Sequence, residues 1–122
     1  GAKALGAAVF EALGIAEGMM LNRAGYSVGA ITSFLDKARE LIPYDAPKSH
    51  QSRFFYLRGA LRADLRDTPG AIQDFNTAMS VWPSPSNTAN KALEDLYRTA
   101  GDTKALQGLQ ERVDRLKRPT GR

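Results

Sequence analysis

Between Phe55 and Pro83 the chain carries a spacing suited to two helices packed close together. Phe55 and Gly59 stand four apart, Ala71 follows Gly59 by twelve, Phe75 follows Ala71 by four, and Pro83 follows Phe75 by eight. A four-residue step returns to the same helix face one turn on. The small residues Gly59, Ala71 and Ala78 then allow two antiparallel helices to approach, with Phe55 and Phe75 bulky beside the crossing. Pro83 ends the second helix, because it lacks a backbone donor and its ring clashes with the preceding turn.

Periodicity extends this reading to six helices and no strand. Ile72, Phe75, Met79 and Trp82 recur at steps of three and four, which marks one buried helical face. The last helix repeats it with Leu106, Leu109, Val113 and Leu116, and the second with Ile31, Leu35, Ala38 and Ile42. Phe54, Leu57, Leu61 and Leu65 give the third its stripe, and Ala89, Ala92, Leu93 and Leu96 the fifth. No alternating run is long enough for a sheet, so the fold class is all-α.

The middle segment resembles the tetratricopeptide repeat, a helix–turn–helix unit of about 34 residues in which bulky, small and proline positions share these spacings. Phe55 takes the place of that pattern's Trp, and Arg58 and Arg62 stand where Leu and Tyr are usual. One such unit cannot bury its apolar face alone, so about three are expected. Adding 34 to Ala71 and Phe75 gives Ala105 and Leu109; subtracting 41 from Gly59, Ala71 and Phe75 gives Gly18, Ala30 and Phe34. The extra residues of the first interval fall around Pro43-Tyr44-Asp45-Ala46-Pro47. The chain therefore reads as one domain over residues 1–122, with units near 11–43, 52–85 and 86–118 and a basic tail at 119–122. The resemblance implies a short right-handed α-solenoid of about three antiparallel helix hairpins.

Helix starts have physical markers. A capping hydroxyl before proline is expected at Thr68-Pro69 and again at Ser84-Pro85, where the missing proline donor costs nothing. Asp102 and Ser27 are expected to cap the sixth and second helices, and Gly25 and Gly101 to allow positive φ in turns. The first helix differs from the rest. Residues 1–21 hold only three charges, Lys3, Glu11 and Glu17. Their apolar positions cover roughly half the circumference, wider than the ~100° stripe of a surface helix, so cover on more than one side is expected. The sixth helix has a polar outer face (Lys104, Gln107, Gln110, Glu111, Asp114, Arg115) and reads as a C-terminal cap of the stack.

A protein-binding scaffold is what the resemblance implies, with the first helix of each hairpin lining a concave surface. Carried over by position, its inward residues are Ala12, Ile15, Met19, Asn22 and Arg23 in the first unit. They are Arg53, Tyr56, Ala60, Ala63 and Asp64 in the second, and Asn87, Asn90, Lys91, Glu94, Tyr97 and Arg98 in the third. The groove is expected to take a peptide or helix of a partner protein, burying side chains near Met19 and Tyr56 and meeting polar groups near Asn90 and Glu94. The family's carboxylate clamp is not expected. It needs Lys and Asn where Ile15 and Met19 stand, and Asn where Leu57 stands; only Lys91 agrees. As an alternative, the apolar first helix would serve assembly, pairing with a second copy as a homodimer or packing on another part of a larger protein.

Other classes find less support. Arg58, Arg62 and Arg66, with Arg53 beside them, form a row open to phosphates, but such a row is read here as a solvated face. Aromatic residues do not interleave with it, and a net charge of +4 is modest, which argues against nucleic acid as partner. Residues 112–122 account for that balance, with Arg112, Arg115, Lys117, Arg118 and Arg122 against Asp114, and read as a frayed solubilising end. Cysteine is absent, which excludes disulfides and thiolate metal sites. His50 is the one histidine, without companions for a metal or a nucleophilic site. No phosphate-binding glycine loop occurs. Arg23-Ala24-Gly25-Tyr26 also resembles the segment after the zinc site of certain membrane-linked metallopeptidases. Their H-E-x-x-H is missing, and Ala12 and Gly14 occupy the places of their downstream acids. The expectation is a protein that is not an enzyme, without metal or cofactor. No apolar run reaches the ~18 residues that cross a bilayer. Starting at Gly1 rather than Met, the chain reads as a processed form or a cut segment, soluble and either cytoplasmic or periplasmic.

Overall fold

The computed structural model describes residues 2–21, 25, 27–42 and 45–118, of which 2–10 and 12 are described in backbone only. They form six helices: α1 (Ala2–Leu21), α2 (Val28–Leu41), α3 (Lys48–Asp64), α4 (Thr68–Val81), α5 (Ala89–Ala100) and α6 (Thr103–Lys117). The described residues contain no strand, so the chain is all-α. None of these helices is long and apolar enough to cross a membrane. Each helix packs on the next in order, α1 also packs on α3, and the α3–α4 contact is by far the most extensive.

Two apolar clusters sit along this series. Leu13, Ala16 and Met19 of α1 join Ile31, Leu35 and Ala38 of α2 and Phe54, Leu57 and Leu61 of α3. Ala71, Phe75, Ala78 and Met79 of α4 join Ala89 and Leu93 of α5 and Leu109 of α6. Phe55 and Tyr56 of α3 pack against both clusters and so couple them. Each stripe read from periodicity contributes buried side chains, except that Leu65 lies past the end of α3 and is exposed.

The middle crossing is as close as the small residues require. A Cβ placed on Gly59 would lie 2.8 Å from Phe75 Cε1 and 3.1 Å from Asp74 Cβ, while Ala71 and Ala78 are fully buried. The analogous crossing expected at Gly18 and Ala30 is not found. Both residues are exposed, and a Cβ on Gly18 would meet nothing within 4 Å. The helices α1 and α2 instead bury Leu13, Ala16 and Met19 with Ile31, Leu35 and Ala38. Stabilisation scales with the apolar area removed from water, so the larger stripe decides which face turns inward.

Helix ends follow local hydrogen bonding. Ser27 Oγ accepts from the Ala30 N–H at 3.1 Å, and Asp102 Oδ1 from the Ala105 N–H at 3.1 Å, as expected. At α4 the cap is Asp67, not Thr68: its Oδ1 accepts from the Gly70 N–H at 3.1 Å, with Thr68 and Pro69 inside the first turn. A carboxylate near a helix N-terminus also meets the favourable end of the dipole. Ser84-Pro85 does not start α5 either. The chain turns there, and Asn87 Oδ1 accepts from the Ala89 N–H at 3.0 Å. Gly101 has φ +70°, the left-handed conformation glycine tolerates best.

Candidate functional site

The residues expected to line one concave groove divide into three groups. Asn22 and Arg23, and the side chain of Ala12, lie outside the described residues. Ile15 is 44% exposed, but Met19 is only 8% exposed and belongs to the first core, so it is not a groove residue. Arg53 forms an ion pair with Glu17 that ties α3 to α1. Tyr56 is half-buried, its ring 5.7 Å from that of Phe75, and Ala60 and Ala63 pack against the second core. Asp64 is exposed. Met19, Tyr56, Ala60 and Ala63 hold helices together by burying apolar area, and Arg53 does so through its ion pair.

The third unit is different. Asn90, Lys91 and Glu94 stand on α5 beside a cleft of about 460 Å³, which Leu109, Gln110, Val113, Asp114 and Lys117 of α6 complete. Buried Leu109 and half-buried Val113 supply apolar surface, while the rim carries both charge signs. Asn90 Nδ2 donates to the Ser84 carbonyl at 3.2 Å, and its Oδ1 is buried without a hydrogen-bond partner. Lys91 approaches Asp95 at 3.2 Å and Glu94 at 3.7 Å, and Arg98 donates to Glu94 at 3.0 Å. The hydrogen bond to Asp95 is the main reason that the Lys91 pKa lies above its usual value. Asn87 also borders the cleft, but its amide serves the fold: it donates to Ser52 Oγ and to the carbonyls of Ala78 and Trp82. Ile15, Met19, Arg53, Tyr56, Ala60 and Arg98 do not line this cleft.

Two expectations about charge are corrected here. Arg58 and Arg62 are not a solvated row. Arg58 donates through Nε at 3.0 Å and Nη2 at 2.9 Å to Asp74, and Arg62 Nη1 donates to the same carboxylate at 3.0 Å. Asp74 is 2% exposed, so a buried acid holds both guanidinium groups inward. Its hydrogen bond raises the Arg58 pKa, and that guanidinium lies 5.3 Å from the Phe54 ring centre and 5.6 Å from that of Phe55. The other correction concerns residues 112–117, which continue α6 to Lys117 rather than fraying. Half-buried Arg112 donates through Nη1 and Nη2 to Asn76 Oδ1 at 3.2 and 3.1 Å.

The sequence held a signal for the first of these. Two arginines in positions where the resemblance wants Leu and Tyr require an acid across the crossing, and Asp74 adjoins Phe75 on the facing helix. The part α6 plays in the cleft had a weaker signal, the apolar step Leu109–Val113–Leu116 in a helix otherwise read as a polar cap. Among the described residues, no three His, Cys, Asp or Glu side chains are placed to hold a metal ion. No family model, curated protein or solved structure matches this chain.

Proposed function

We propose that the chain is a non-catalytic protein-interaction module, a short tetratricopeptide-like stack of three hairpins that binds a peptide or helix of a partner protein and acts as scaffold or adaptor. The observation that carries this reading is the α5–α6 cleft, where Asn90, Lys91 and Glu94 stand beside the apolar Leu109 and Val113. A mainly apolar recess with a few convergent polar groups suits an amphipathic segment, which buries side chains and meets the polar groups at the rim. The order of packing, helix on next helix with α1 reaching α3, and the close crossing at Gly59 support the repeat-like arrangement.

Peptides selected from a random library on the immobilised full chain test the reading. Val113→Asp and Asn90→Ala are expected to weaken the selected peptides about tenfold, roughly 1.4 kcal/mol, with helical content unchanged by circular dichroism. Peptides that bind both variants as they bind the parent chain would remove the cleft from consideration.

A second reading, assembly through the first helix, is favoured by one observation: Ile15 and Leu21 of α1 are 44% and 84% exposed. Sedimentation of the chain over a wide concentration range distinguishes it from the first, because a monomer throughout excludes self-pairing.

A further inference from the structure

On the side of α6 where α4 and α5 meet it, a smaller cavity of about 220 Å³ is lined by Asn76, Tyr97, Gly108, Leu109, Arg112 and Arg115. Arginine dominates its chemistry, yet no acid stands among the described residues that line it. Among the described residues neither Arg112 nor Arg115 takes part in an ion pair. Arg112 spends both terminal nitrogens on one neutral oxygen, Asn76 Oδ1, and its buried Nε has no hydrogen-bond partner. A partly desolvated cation left with a neutral acceptor is unfavourable, and a charged acceptor relieves it.

We propose that this cavity is a binding site for a carboxylate, supplied by an acidic side chain of a partner peptide. It shares only Leu109 with the α5–α6 cleft and does not depend on what that cleft binds. The same chain shows the geometry that recognition would use: Arg58 presents Nε and Nη2 to the two oxygens of Asp74. A turn of the Arg112 guanidinium away from Asn76 offers the equivalent edge to an incoming carboxylate, with Arg115 adding charge and the Tyr97 hydroxyl a further donor. A planar group with two oxygens fits that edge better than a tetrahedral anion.

Titration of the ¹⁵N-labelled full chain tests the site, with the backbone amides of Ala105 and Gly108 as reporters. The probes are a short peptide with one Glu, the same peptide with Gln, acetate and inorganic phosphate. The Glu peptide and acetate are expected to give saturable shifts, the Gln peptide none, and added salt to weaken binding. Arg112→Met is expected to weaken the Glu peptide at least tenfold. Asn76→Asp, which changes little in volume and places a carboxylate against Arg112, is expected to fill the site internally. It should raise the melting temperature and weaken the Glu peptide at least tenfold. Equal shifts with Glu and Gln peptides, undiminished binding in Asn76→Asp, or tighter binding of phosphate than of acetate would each overturn the proposal.

Discussion

The neighbouring helix pairs α3–α4 and α5–α6 treat their polar residues in opposite ways. In the first, Arg58 and Arg62 turn inward to the buried Asp74, and Gly59 brings the helices together until Phe75 fills the crossing. Its two guanidinium groups share one acid inside the chain. In the second, Arg112 meets only a neutral amide, Asn90 leaves a buried oxygen without a partner, and open space remains on two sides of α6. Asp74 and Asn76 lie two residues apart on α4 and each faces a guanidinium. At these two positions, a carboxylate oxygen in place of an amide nitrogen separates guanidinium groups that have an acid from one that meets a neutral acceptor.

Substitutions can break this contrast. Asp74→Ala should have the largest effect, because it leaves two arginines without their acid. Loss of one partner of a buried pair costs ~3–5 kcal/mol, and partial exposure of both arginines places the expected loss near the lower end, about 3 kcal/mol in urea unfolding. A loss below about 1 kcal/mol would show that the cluster is not a structural centre. Gly59→Val should cost about 2–3 kcal/mol by the same measurement, since its Cβ would fall 2.8 Å from the Phe75 ring and the crossing must open. Unchanged stability would mean that Phe75 moves aside freely.

Gly18→Ala provides the sharpest control for that second effect. With nothing within 4 Å of the added carbon, it should stabilise α1 by about 0.5–1 kcal/mol through helix preference alone. A loss comparable with that of Gly59→Val would show that α1 has a close neighbour at Gly18. Arg112→Met should be the mildest, within about 0.5 kcal/mol of the parent chain, because the arginine it removes has no acid to lose. Thermal unfolding of Asp74→Ala and Arg112→Met side by side then measures how far the two guanidinium sites differ.

The Gly59 crossing was legible because its demand is local in type: only a residue without a side chain fits where Phe75 sits. The Gly18–Ala30 pair, chosen by the same offset rule, turned out to face solvent. Apolar residues on several sides of α1 leave its inward face undetermined until α2 and α3 are in place. Much the same holds for the expected groove. Asn90, Lys91 and Glu94 do border a cleft, whereas Met19 lies in a core and Arg53 and Tyr56 hold α3 to its neighbours. Ser27 and Asp102 were read as caps correctly, the N-cap of α5 lay at Thr88, four residues beyond Ser84, and where Asp67 stood beside Thr68 the stronger acceptor took the role.

What the sequence determined by itself is the set of helices, because apolar steps of three and four, Pro83, Asp102 and Gly101 act within a turn or two of where they stand. Beyond the crossing at Gly59, which faces meet, which arginines find an acid and where space is left between α5 and α6 were decided by the tertiary structure. Those outcomes depend on side chains brought together from separate helices, and burial favours whichever arrangement removes the most apolar surface while pairing the charges it encloses.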